Sequence, residues 1–137
     1  MSKHPKVFSL PVRVYFQDTD AGGVVYHASY VNFLERARTE WLREFYGYSN
    51  AGLMKEFGAV FVVRKLELNY LKPALLDDLL GVTAQIKEVG RSRVVLLQSV
   101  MREDEVLTEA EVHLVCVSLE GFKPVSVPEA LRQQWKK

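Results

Sequence analysis

Hydrophobic and polar positions alternate over residues 7–17, where Val12, Val14 and Phe16 interleave with Arg13, Tyr15 and Gln17. Period two predicts a strand. Pro11 cannot donate to a ladder, which places it at a sheet edge or a bulge. From residue 28 to 46 the period becomes helical. Tyr30, Leu34, Ala37, Trp41 and Phe45 share one stripe, Phe33 widens it, and Glu35, Arg36, Arg38, Glu40 and Arg43 form the polar side. The N-cap falls on His27 or Ser29, and Gly47 suits the position just past the helix end.

Residues 49–58 read as a loop with one short helical turn. Strand patterns then run almost to the C-terminus. Leu66, Leu68 and Tyr70 alternate with Lys65, Glu67 and Asn69 until Pro73 stops the strand, and LKPALLDD connects it to the next. Leu80, Val82, Ala84 and Ile86 make the following strand face, and Gly90 marks a turn. Residues 94–101 are apolar on both faces and predict a well-buried strand. Glu103-Asp104-Glu105 turns the chain again, and Val106, Ala110, Val112, Leu114 and Cys116 carry the last strand. Residues 121–128 form a loop, with Pro128 as the first residue of a short helix ending at Trp135. The order is one strand, one long helix, then four strands. Short turns make neighbouring strands antiparallel, so the expectation is an α+β fold with a sheet wrapped round the helix.

Composition narrows the class. The 137 residues suit a single domain over residues 1–137, and 48% apolar with 26% charged residues are the proportions of an ordinary globular protein. A net charge of +1 supplies no overall field toward nucleic acid or membrane, so a polyanionic ligand must meet a local patch. The lone Cys116 forbids an internal disulfide and fits a reducing compartment, the cytoplasm by default. The start, MSKHPKVFSLPV, has no apolar signal region, and no run approaches the roughly 20 apolar residues of a spanning helix.

The chemistry concentrates in DTDAGGVVYHASY, residues 18–30. Asp18 and Asp20 precede Gly22 and Gly23, and Tyr26 and His27 lead into the helix. An acidic, glycine-bearing stretch is by itself an ordinary strand-to-helix link. It also sets a carboxylate opposite a helix start, whose unpaired N–H groups and partial positive charge suit a developing oxyanion. Other candidates are weaker. His27 has no partner at metal-ligand spacing, and His113 stands far off. Gly47-Tyr48-Ser49-Asn50-Ala51 looks like a degenerate nucleophile elbow but follows a helix instead of a strand. Cys116 sits mid-strand with nothing cationic beside it. Arg91 and Arg93 flank Ser92 at a turn near Lys87, as either an ordinary charged hairpin or a phosphate clamp.

The stretch DTDAGGVVYHASYVNFLERAR resembles the motif of the 4-hydroxybenzoyl-CoA thioesterase superfamily, most closely its YbgC-type branch of acyl-CoA thioesterases associated with the Tol–Pal system. LNYLKPALLDDLL and HLVCVSLEGFKPVSVP resemble two further family segments, in order. The resemblance implies a hotdog fold, an antiparallel five-stranded sheet round one central helix with a short C-terminal helix. It implies an acyl-CoA thioesterase with Asp20 as catalytic carboxylate and the His27 backbone N–H as oxyanion donor, with Gly23 and Tyr26 beside them. Arg91, Ser92, Arg93 and Lys72 are carried over as substrate-binding residues. No metal or separate cofactor is implied, since CoA is part of the substrate. The acyl donor is acyl-CoA or the same acyl group on acyl carrier protein. The family forms homodimers, often paired into homotetramers, with active sites between protomers.

The parts suit the reaction. A thiol of pKa near 8.5 leaves with little acid help, so the protein supplies a base or nucleophile and stabilises the oxyanion. Asp20 fits either role. Two alternatives stay open: a hotdog dehydratase using His27 as base, and a non-catalytic acyl-binding scaffold.

Overall fold

The computed structural model describes residues 6–136; residues 1–5 of the N-terminal stretch lie outside them, as does residue 137. The elements are β1 (Phe8–Arg13), α1 (His27–Tyr46), α2 (Asn50–Phe57), β2 (Ala59–Tyr70), β3 (Leu79–Val89), β4 (Arg93–Arg102), β5 (Glu105–Ser118) and α3 (Glu129–Trp135). The strands form one antiparallel sheet in the order β1-β3-β4-β5-β2. Register shifts at Val63/Lys65, Ile86/Glu88 and Val100/Met101 interrupt three ladders. Such irregularities bend strands and increase twist, as a sheet curving round a helix requires.

The apolar stripe of α1 is what the sheet covers. Tyr30, Phe33, Leu34, Ala37, Trp41 and Leu42 are buried and share one core with Val12, Leu80, Val82, Leu96, Val112 and Leu114 of the strands. Full burial of each large apolar side chain contributes about 1.5–3 kcal/mol, so this one helix organises the core. Gly47 ends α1 in the left-handed region at φ 79°.

Four local expectations are corrected. The first strand stops at Arg13, and Phe16–Asp18 form a short 3₁₀ turn instead of continuing it. Phe16 is 80% exposed. The Asp18 carboxylate accepts the Tyr15 N–H at 2.8 Å, and this local bond replaces a ladder bond. Residues 49–58 hold a two-turn helix, α2, whose cap Ser49 accepts the Gly52 N–H at 2.9 Å. This occupies the hydroxyl of the elbow-like stretch with capping. Pro128 is the N-cap of α3 and not its first helical residue. On β4, Gln98 is only 2% exposed, a buried polar side chain inside a segment expected to be apolar.

Candidate active site

The carboxylate expected to act sits on a tight turn. Gly23 donates its N–H to Asp20 O (3.1 Å), and Asp20 donates to Val24 O (3.0 Å). A bridge between Thr19 and Val25 closes this small hairpin. Gly23 adopts φ +80°, a left-handed conformation that glycine takes without steric cost. The Gly22 N–H donates to Asp20 Oδ1 at 2.9 Å. Asp20 Oδ2 has no hydrogen-bond partner among the described residues, and the side chain is exposed. Asp20 is therefore held by one oxygen and free at the other.

Asp18 is placed differently. It is buried, and its carboxylate binds Tyr15 as described. Its carbonyl accepts the Tyr26 N–H at 2.8 Å and the Ser29 hydroxyl at 3.3 Å. Asp18 thus fastens the helix start to the turn that bears Asp20.

The N-cap of α1 is Tyr26, not His27 or Ser29, and no side chain caps the helix. Among the described residues the N–H groups of His27 and Ala28 find no acceptor, while Ser29 N–H turns back to Tyr26 O. Open N–H groups at a helix start favour negative charge. The exposed Tyr26 and His27 rings lie 4.4 Å apart between centroids. Tyr70, at the end of β2, donates its hydroxyl to the His27 carbonyl at 3.2 Å. Desolvation, then the neighbouring Tyr30, pushes the Tyr70 phenol above its ordinary pKa, so it remains a protonated donor at neutral pH. Sequence patterning does not single out Tyr70, which the fold brings to the helix start. The signal available was its place in LNYLKP.

The basic candidates divide. Lys72 follows β2 at the Asp20 end and ion-pairs with Glu105 at 2.5 Å. Arg91, Ser92 and Arg93 lie beyond the far end of β3, which spans Leu79–Val89. Leu75 and Leu76, just before β3, bond the glycine turn. At about 3.4 Å per residue, the basic turn is roughly 30 Å from Asp20. Arg91 donates to Ser126 Oγ (2.8 Å) and Arg93 to Glu88 (3.0 Å). The chain therefore gathers Asp20, Gly23, Tyr26, His27 and Lys72 at one end and Arg91, Ser92 and Arg93 at the other.

The remaining chemistry-bearing groups have structural surroundings. Burial pushes the Cys116 thiol up to about 11, far from a reactive thiolate. Glu67, Glu111 and His113 bring donor atoms within 4.8 Å of one another, but Lys87 already pairs with Glu111 at 2.7 Å. No helix among the described residues is long and apolar enough to cross a membrane.

Residues 22–109 match the thioesterase superfamily. The chain is 46% identical to the acyl-CoA thioesterase YbgC of Haemophilus influenzae, covering 91% of each. It is 47% identical to the acyl-CoA thioester hydrolase YbgC of Escherichia coli, covering 95% of this chain and 96% of that one. A probable thioesterase from Bartonella henselae superposes with a TM-score of 0.85 at 35% identity, covering 90% of this chain and all of the other. With five antiparallel strands in this order packed on one long helix, the fold is the hotdog fold, and the chain belongs to the thioesterase superfamily.

Proposed function

We propose that this chain hydrolyses acyl-CoA thioesters to the free acid and CoA, with Asp20 as the reacting carboxylate. The observation that carries the reading is the free Oδ2 of Asp20 on a turn tied to a helix start with open N–H groups. As a base, Asp20 takes a proton from water, and the resulting hydroxide attacks the thioester carbon. As a nucleophile, it attacks that carbon itself, and water opens the mixed anhydride. In both routes the carbonyl oxygen gains negative charge, the His27 N–H stabilises it, and the C–S pair leaves with the CoA thiolate. A lost oxyanion donor typically costs about 3–4 kcal/mol. These steps call on no metal or redox cofactor.

The reading includes a dimer. β2 is a 12-residue edge strand with Val62 and Val63 exposed on it, and Tyr70, Leu71 and Leu75 are exposed at its Asp20 end. An edge strand leaves a row of unpaired backbone N–H and C=O groups that another strand can pair with, and the exposed valines add apolar surface to it. Antiparallel pairing of β2 with its copy sets the Tyr70 end of one protomer against the Ala59 end of the other. The Ala59 end is the end of Arg91 and Arg93, since Ala59 pairs with Ser118 and Arg93 with Val115 on β5. Two-fold pairing thereby unites the two halves of the site that one protomer keeps apart. Pairing of such dimers into a tetramer leaves this arrangement of the site unchanged. A cytoplasmic location suits the buried thiol of Cys116.

The test is CoA release from a panel of acyl-CoA and acyl-carrier-protein thioesters, with hydration of an enoyl substrate measured in parallel. Turnover of acyl-CoA supports the proposal. Hydration without hydrolysis would select the dehydratase, and binding without turnover the scaffold.

A further inference from the structure

A second polar constellation lies further along α1. Arg38 is eleven residues past His27, roughly 16 Å along the helix at 1.5 Å per residue. It borders a partly enclosed cavity of about 210 Å³, walled by Trp41, Phe61, Val63, Leu114 and Trp135. An apolar cavity of about 150 Å³ already admits benzene, so this one has room for a ring or a short aliphatic chain.

The guanidinium is fixed from behind. The Gln98 amide donates to Leu34 O (3.0 Å) and Thr83 O (3.1 Å), which leaves its Oε1 to accept from Arg38 Nη1 at 3.2 Å. Two carbonyl acceptors decide which way the amide points. This is the same Gln98 that breaks the apolar run of β4. A buried amide is costly unless it is hydrogen-bonded, and these three bonds hold Gln98 and the Arg38 fork in one orientation. A guanidinium carries five N–H donors, and among the described residues Arg38 spends one, on a neutral oxygen. Among the described residues no carboxylate comes within ion-pair distance of it. Glu35, one turn back on the cavity rim, accepts the Thr39 hydroxyl at 3.2 Å instead. Desolvation draws the Arg38 pKa down, partly opposed by the charge of Glu35.

We propose that this cavity is a binding site for a small apolar carboxylic acid, its carboxylate paired with Arg38 and its hydrocarbon against Trp41 and Trp135. The planar fork of a guanidinium matches two carboxylate oxygens, and the walls reject a fully hydrated anion such as phosphate. Carboxylic acids are also the class that thioester hydrolysis releases. The site does not depend on turnover, so it stands or falls apart from the role of Asp20.

Trp41 and Trp135 are the only tryptophans in the sequence, and both line this cavity, so selectively excited tryptophan emission arises from its walls. The experiment titrates the protein with hexanoate, 1-hexanol and inorganic phosphate. Hexanoate is expected to change the emission saturably, with 1-hexanol weaker by roughly tenfold or more and phosphate without effect. Folded Arg38→Met should lose hexanoate affinity by a similar factor, and Asp20→Asn should titrate like the parent. The comparison of ligands decides the matter on the parent protein even where Arg38→Met does not fold. Equal affinity for 1-hexanol, a matching response to phosphate, or no saturable change at millimolar hexanoate would each overturn the proposal.

Discussion

The buried carboxylate of Asp18 accepts the backbone N–H of Tyr15 at 2.8 Å, and this bond turns the chain away from β1 and toward the helix start. Removing the acceptor leaves a partly buried N–H unpaired, which costs about 1–3 kcal/mol. Asp18→Ala should therefore lower the melting temperature by several degrees. Residual activity per folded molecule should stay far above that of an Asp20 variant. Calorimetry with activity normalised to the folded fraction checks both.

His27 is expected to act through its main chain. Its N–H is open at the start of α1, and its carbonyl holds the Tyr70 hydroxyl at 3.2 Å. His27→Ala keeps both groups, so kcat should fall by less than about tenfold. A loss matching that of Asp20→Asn would show that the imidazole takes part.

Much of this arrangement was legible in the chain. The α1 stripe and the alternation in β2 and β3 are long periodic signals, and the structure follows them closely. Shorter features were decided by single bonds that periodicity does not encode. Phe16 continued an alternating pattern, yet the Asp18–Tyr15 bond had already ended the strand. Residues 94–101 read as apolar on both faces, yet Gln98 among them is buried and bonded to Leu34 O, Thr83 O and Arg38. Asp20 was legible through its motif and its glycines. The spread of the site was not, because nothing local in the sequence says that Arg91 lies beyond the opposite end of β3 from Asp20.

Arg91 and Arg93 are expected to hold the nucleotide end of CoA across the proposed dimer. Substituting both by Ala should raise KM for acyl-CoA. It should leave kcat nearly unchanged for a short thioester lacking the nucleotide, since contacts remote from the reacting carbon give mostly uniform binding. Light scattering belongs with this assay. An active monomer would remove the geometric basis for the assignment.

Cys116 gives a pH signature. Its thiol is pushed up to about 11 from an ordinary 9.0 by burial, so between those values the folded state binds more protons than the unfolded one. Stability from the neutral buried thiol is complete below pH about 9 and is lost as pH rises toward about 11. Denaturant midpoints across this window should fall with a slope that Cys116→Ala reduces. An identical slope in both proteins would assign the alkaline loss to other groups.

Asp20 is expected to carry the reaction while Asp18 braces it. Asp20→Asn keeps the shape of the turn, and an amide oxygen can still accept the Gly22 N–H, but both the base and the nucleophile are gone. The direct measurement is kcat of Asp20→Asn and Asp18→Asn on one acyl-CoA, with folding checked by circular dichroism. For Asp20→Asn the expected result is a fall in kcat of about 10²–10⁴-fold with KM little changed, and for Asp18→Asn a stability loss with kcat largely kept. A folded Asp20→Asn protein with near-parental kcat would contradict it.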